Sequence, residues 1–331
     1  MQGFSQIIGH ENIIQHLQNA IGSNMVSHAY ILHGEEGMGK KLLASAFAKT
    51  LQCEESGILP CNRCKSCMQV DSNNHPDIIW VKHEKYSIGV DDIRLQVNAD
   101  IQIKPYHSPY KIYIIEDGDK LTEQAQNALL KTMEEPPEYA VIILLVNNIS
   151  AILPTILSRC VLLNLKPVDK QKIKEFLMVQ YQVPDYMADM SAAFSGGNVG
   201  KAIKYASSED FEQMKNEVLH ILKYIDDMEL YEVISGLKVL TANKNSIEDY
   251  IDLMILWYRD VLMFKATKKA DLLLYREELT FIKRQANLRS YEGVEKIIIA
   301  MEKAKIRLKA NVNFDIAIEL MLLTIKENSN G

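Results

Sequence analysis

Apolar positions along the chain keep one rhythm in its first half and another in the rest. Ala29–Leu32 (AYIL) is a short apolar run ending in a glycine-rich turn, and Lys40–Leu51 behind it carries apolar residues at helical spacing. Lys111–Ile115 (KIYII) and Val141–Val146 read as two more buried strands, with a helix over Thr122–Glu135 between them that Pro136 and Pro137 stop. Strands alternating with helices predict a parallel sheet whose ligands bind at the carboxyl ends of the strands. After Val161–Leu165 the strands give out. A small helical domain is expected over residues 169–206, where Ser195-Gly196-Gly197-Asn198 separates two helices, and from about residue 209 to 328 the spacing is helical throughout. Tyr250, Ile251, Leu253, Met254 and Trp257 mark one apolar helix face, and Ile298, Ile299 and Met301 another. No internal repeat, heptad run or low-complexity segment interrupts this α/β-then-α plan.

At 331 residues the chain has room for two or three domains, and 47% hydrophobic with 24% charged residues is ordinary for a globular protein. A net charge of −6 excludes an avid, unaided grip on nucleic acid. The start, MQGFSQIIGHENII, lacks a basic region followed by an apolar one, and the longest apolar run, Ala140–Val146, is too short to span a bilayer. A cytoplasmic protein with no membrane partner is expected. Cysteine usage changes the picture further. Cys53, Cys61, Cys64 and Cys67 have the spacing C-x7-C-x2-C-x2-C, with Cys160 apart. An odd count in a cytosolic chain disfavours a disulfide framework, and four thiolates so spaced close a tetrahedral zinc site with no open position. Redox-active thiols or an iron–sulfur cluster are the other uses of such a set. The stretch is poor in large apolar residues, so a metal would replace a core.

Gly34-Glu35-Glu36-Gly37-Met38-Gly39-Lys40 fits the GxxxxGK phosphate loop, in which glycines let backbone N–H groups close around phosphate oxygens and the lysine reaches the terminal phosphates. A strand before it and a helix after it give a context that a chance glycine turn lacks. The next position should offer a hydroxyl to Mg²⁺, yet Lys41 has no acceptor and adds positive charge. Metal binding should suffer, unless the ammonium itself stands in for the cation. ATP-hydrolysing enzymes end the acidic strand in Asp and then Glu, one holding Mg²⁺ and the other polarising water. Here the order is Glu116-Asp117, which crowds the metal and leaves the second carboxylate short of the water by about 1 Å, a misplacement that costs on the order of a hundredfold in rate. Taken alone, Glu-Asp-Gly-Asp would be a solvated turn. Ile152–Cys160 (ILPTILSRC) is expected on a helix running to the domain edge, where Arg159 by itself is one exposed base among 37. His28 and His75 have no ligand spacing and read as structural.

SHAYILHGEEGMGK, the four-cysteine insertion, YKIYIIEDGDKLTEQAQNALLKTMEEPP and LPTILSRC, in this order and spacing, resemble the AAA+ subunits of the bacterial DNA polymerase III clamp loader. The likeness runs from Phe4 to about Ala206, and RLKANVNFDIAIELMLL (Arg307–Leu323) is similar to the closing helix of that family's collar domain. The resemblance implies an α/β AAA+ P-loop nucleotide-binding domain with a parallel sheet over residues 1–166, carrying a zinc-binding insertion at about 53–67. It implies an α-helical lid over 167–207 and an all-α collar (oligomerisation) domain over 208–331.

The family contains ATP-hydrolysing motors (gamma/tau) and a subunit type that keeps the fold with little or no hydrolysis. Motors carry GK[ST], an Asp-Glu strand end, and a second-sensor arginine in a G-S-x-R-D-A stretch. The matching residues here are Gly39-Lys40-Lys41, Glu116-Asp117 and Gly197-Asn198-Val199-Gly200-Lys201-Ala202, so Gly200 holds the arginine's place. Each departure removes a hydrolytic part. The first-sensor polar residue persists as Asn147 or Asn148, which leaves Gly34, Gly37, Gly39, Lys40 and Lys41 open to ATP or ADP without hydrolysis. Ser158-Arg159-Cys160 is intact, and the resemblance implies that Arg159 is an arginine finger reaching the γ-phosphate of a neighbouring motor. Expected partners are gamma/tau and delta in a hetero-pentamer, the beta sliding clamp, and primer–template DNA within the complex. The whole would work in DNA replication as part of a DNA-directed DNA polymerase, a nucleotidyltransferase. Two rivals stand beside this reading. One is an active gamma/tau-type ATPase that tolerates Lys41; the other is a P-loop kinase, against which residues 169–204 hold no arginine for a phosphate-closing lid.

Overall fold

Every residue of Ala140–Val146 is buried, which a central strand covered on both faces permits. In the computed structural model this segment is β4 of a five-stranded parallel sheet, together with β1 (Ala29–His33), β2 (Ile78–Val81), β3 (Lys111–Ile115) and β5 (Val161–Asn164). The strand order is β2-β3-β4-β1-β5. The structure describes residues 3–55, 57–207, 211–229, 232, 240, 244–310 and 312–328. They fall in two compact units, Met1–Ala206 and Ser207–Gly331.

The period-two alternation of the strands builds two cores, one on each face of the sheet. Ala29, Ile31, Tyr113, Ile115, Ile142 and Leu144 pack on Ala125, Leu129 and Met133 of one helix. Tyr30, Leu32, Ile112, Ile114, Val141 and Ile143 pack on Leu43, Ala44, Phe47 and Leu51 of another. Burying each of the large side chains is worth about 1.5–3 kcal/mol, so the sheet is the rigid floor on which the loops at its carboxyl edge rest. β2 is absent from the sequence reading because IIWV is a four-residue run and, at the sheet edge, mostly half-buried. β5 stops at Asn164, one residue short of the expected end.

The helices of this unit are α1 (Glu11–Gly22), α2 (Lys40–Leu51), α3 (Lys65–Asp71), α4 (Val90–Ile93), α5 (Glu123–Glu134), α6 (Pro154–Leu157), α7 (Lys170–Gln180), α8 (Asp185–Phe194) and α9 (Val199–Ser207). Thr122 lies just outside α5 and caps it, its hydroxyl accepting from the Ala125 N–H. The expected helix through ILPTILSRC is a correction: α6 is only four residues long, begun by Pro154, and Arg159 follows its end. With β5 starting at Val161 there is no chain left for a longer helix. α7, α8 and α9 enclose a small core of Ile173, Leu177, Ala188, Ala192 and Ala202.

In the second unit the described helices are Phe211–Tyr224, Ile247–Thr267, Leu279–Leu288, Tyr291–Lys309 and Phe314–Glu327. The stretch expected as one closing helix, 307–323, instead straddles the last two, because Asn313 caps a new start by accepting from the Ile316 N–H. The 291–309 helix buries Val294, Ile297, Met301 and Ala304, whereas Ile299 is 44% exposed, so the face expected at Ile298 and Ile299 lies about one position off. Trp257 donates to Gln285, whose amide donates on to the Leu222 carbonyl, and Arg289 pairs with Asp226 below the surface. These buried polar groups find partners inside the apolar interior.

A phosphate loop under a helical cover, a cysteine centre and an exposed arginine

The loop between β1 and α2 has backbone that only glycine adopts freely: Gly37 at φ 85 and Gly39 at φ 92. Those two turns aim the first N–H groups of α2, which have no partner inside the helix, into the loop. Lys40 is 9% exposed and its ammonium donates to the carbonyls of Gly34 (2.5 Å) and Glu35 (2.7 Å) and to Asn147 Oδ1 (2.7 Å). Burial pulls its pKa below the ordinary lysine value, against the raising pull of Asp119 and the loop carboxylates. Asn147 therefore belongs to the loop, while Asn148 turns away to cap the next turn by accepting from the Ser150 N–H. His10 touches the Met38 carbonyl at 3.1 Å and lines, with Asn164, Lys166 and Lys172, a cavity of about 230 Å³.

The two acidic residues part company. Glu116 Oε1 lies 2.6 Å from Lys41 Nζ, and that ammonium also stands 5.0 Å from the centroid of the Trp80 ring. Asp117, in left-handed backbone at φ 51, gives its carboxylate to Lys120 at 2.8 Å. Each carboxylate has a cation of its own: one is paired with the residue that replaced a hydroxyl, the other within its own turn.

Above the loop sits the start of α9. Asn198 Nδ2 donates to the Glu36 carbonyl at 2.7 Å and the Gly200 N–H to the Gly37 carbonyl at 2.9 Å. A Cβ on Gly200 would lie 2.7 Å from Gly37 Cα and 2.9 Å from its oxygen. An arginine at 200 is incompatible with this closed arrangement. Sequence reading marked Gly200 only as a missing arginine and Asn198 only as part of a break; the asparagine that follows two glycines at a helix start was the available signal.

The four cysteine sulfurs of Cys53, Cys61, Cys64 and Cys67 lie within 4.8 Å of one another. Tetrahedral zinc at about 2.3 Å from each sulfur needs them roughly 3.8 Å apart, so the set fits that ion. Backbone N–H groups of Cys61, Cys64 and Cys67 point at the sulfurs of Cys53, Cys61 and Cys64, each at 3.3 Å. The thiols on their own are unequal. The Arg63 N–H pulls Cys61 down to about 7, whereas burial pushes Cys53 and Cys67 up. His75 stays out of the set, bonded on one nitrogen to Ser66 and on the other by the Asp77 N–H.

Arg159 reaches out from the turn after α6. Its Nη2 pairs with Glu134 at 2.9 Å and its Nη1 donates to the Thr155 carbonyl at 3.0 Å, with 36% of the side chain exposed. Ser158 Oγ donates to the same carbonyl, and the Cys160 thiol, packed against the sheet core, is pushed up to about 12 by burial. That thiol is inert filling. An exposed ion pair such as Arg159–Glu134 is worth about 0–1 kcal/mol, so a phosphate can draw the guanidinium away. Gln126, 3% exposed, fixes the base of this segment: its amide donates to the Ala151 carbonyl at 2.9 Å and its oxygen accepts from the Leu153 N–H at 2.8 Å. Neither Glu134 nor Gln126 was picked out from the sequence, since helix periodicity gives both an ordinary place.

The family described as "DNA polymerase III, delta subunit" matches residues 9–169. The chain is 30% identical over 318 residues to DNA polymerase III subunit delta' of Bacillus subtilis, covering 95% of each. It is also 30% identical over 286 residues to DNA polymerase III subunit tau of the same organism, matching 80% of this chain but spanning only 50% of tau. A gamma subunit-related protein from Thermotoga maritima overlays at a TM-score of 0.47 with 18% identity, covering 96% of this chain and 99% of that one. Among the described residues no helix is long and apolar enough to cross a membrane.

Proposed function

From the premise that the chain belongs to the delta-prime family of DNA polymerase III clamp-loader subunits, we propose a subunit that lends an arginine to a neighbour's ATPase site and does little or no hydrolysis itself. The observation that carries this is the 2.6 Å contact between Lys41 and Glu116. In a hydrolysing site both positions face Mg²⁺; here they neutralise each other, and Asp117 is held by Lys120. Gly200 supplies no charge in place of a second-sensor arginine. Arg159, by contrast, is half-exposed and held by a surface ion pair and local hydrogen bonds, which suits a guanidinium that must reach charge building on a phosphoryl group bound elsewhere.

On this reading residues 1–166 are the AAA+ domain, 167–207 its lid and 208–331 the collar, with gamma/tau and delta as partners in a cytoplasmic hetero-pentamer. The complex places the beta clamp on primed DNA. Zinc on Cys53, Cys61, Cys64 and Cys67 is structural: four thiolates fill its tetrahedral shell and leave no place for substrate.

The test is Arg159→Ala in the complex reconstituted with the motor and delta subunits. Turnover at the one site served by this arginine should fall by about 10³–10⁵, seen in bulk as loss of that site's share of turnover together with loss of clamp loading. The subunit should keep its fold, since only a surface ion pair and hydrogen bonds to the Thr155 carbonyl and Ser158 hydroxyl are removed. Unchanged turnover and loading in the assembled complex would refute the lent arginine. Brisk hydrolysis of Mg-ATP by the isolated chain, abolished by Lys40→Ala, would favour the motor reading instead.

A further inference from the structure

We infer that the phosphate loop is a site for a nucleoside polyphosphate stripped of its divalent cation, with the Lys41 ammonium and Glu116 standing where other sites keep the metal and its carboxylate ligand. This rests on the reading of the loop as a nucleotide site. Two residues that look like separate losses in sequence touch at 2.6 Å, so they form one compensated exchange: an ammonium for a hydroxyl plus cation, and a carboxylate one methylene longer that reaches it. The Trp80 ring, 5.0 Å away, holds the same ammonium from β2. Glu116 takes one of its three donors, and 65% of the Lys41 side chain is exposed. Lys41 is the second residue of α2, directly after the loop lysine, and Lys40 can trade its two carbonyls and Asn147 for phosphate oxygens.

Charge decides the preference. Mg²⁺ with one carboxylate brings a net positive unit to the phosphates, whereas Lys41 with Glu116 brings none. A nucleotide that arrives with Mg²⁺ would press the cation against the ammonium, so metal should weaken binding, and a diphosphate should bind at least as well as a triphosphate.

The experiment titrates the full chain with ADP and ATP, in EDTA and in excess Mg²⁺, by calorimetry and by Trp80 fluorescence. The only other tryptophan, Trp257, is fully buried in the second unit. Saturable binding in EDTA that Mg²⁺ leaves equal or weaker is the expected result. Lys41→Ala should weaken binding in EDTA by about 10- to 100-fold, the worth of a charge-assisted hydrogen bond. The pair Lys41→Thr with Glu116→Asp should reverse the metal dependence, with Mg²⁺ tightening binding about tenfold or more. Wild-type binding that needs Mg²⁺, or no saturable binding of either nucleotide in EDTA, would overturn the inference while leaving the lent arginine untouched. Turnover measured in the same tubes reports separately on the absence of hydrolysis.

Discussion

Gly200→Ala sets two known effects against each other at one atom. In a helix, glycine is less favourable than alanine by about 1 kcal/mol, so on propensity alone the substitution should stabilise α9. The structure opposes this. The new Cβ would lie 2.7 Å from Gly37 Cα and 2.9 Å from its carbonyl oxygen, both backbone atoms. Relieving that contact moves the helix off the loop by roughly 0.7 Å. Forcing a methyl into packed backbone costs about 1–3 kcal/mol. Stretching the 2.9 Å bond from the Gly200 N–H to the Gly37 carbonyl adds about 0.5–1.5 kcal/mol. Steric loss wins by about 2 kcal/mol at the centre of these ranges, and at about 2–4 °C per kcal/mol for a unit of this size the melting temperature should drop by about 4–8 °C. Thermal melts followed by tryptophan fluorescence in a Trp257→Phe background read the first unit through Trp80. A variant that melts higher than the wild type would show propensity alone at work and refute the seating of α9 on the phosphate loop.

Two further outcomes are expected. Chain prepared without chelator should carry about one equivalent of zinc by elemental analysis, and Cys64→Ser should lose it and lower the melting temperature, because the insertion has little apolar core of its own; metal-free wild type of unchanged stability would refute the centre. Burial holds the His75 pKa below the ordinary 6.5, so the unfolded chain takes up the proton first and stability falls as the pH drops below about 6.5; His75→Gln should show a shallower acid slope in pH-dependent melts, and an unchanged slope would remove His75 from the explanation.

Much of the fold was legible because its signals are local. The runs Lys111–Ile115 and Val141–Val146 read as buried strands, and Pro136, Pro137 and the glycines of the phosphate loop marked where helices stop and start. β2 escaped because a short half-buried edge run carries no periodicity. The reach of α6 was overestimated because nothing in ILPTILSRC announces that β5 begins at Val161. Ile299 was assigned to a core because three apolar residues in a row cannot say which one a helix turns outward; the stripe of Val294, Ile297, Met301 and Ala304 decides it.

The same division holds for the site. Residue types and spacings by themselves pointed to a phosphate loop and a four-thiol set, and the family resemblance to Arg159, since each is written in a short stretch of neighbouring positions. Only the tertiary structure decided that Lys41 meets Glu116 across 75 positions of chain, that Gly200 lies on Gly37 and that Glu134 holds Arg159. Those contacts join side chains brought together by the sheet and the lid, and a charge or a missing methyl has no consequence in sequence until packing supplies the atom it faces.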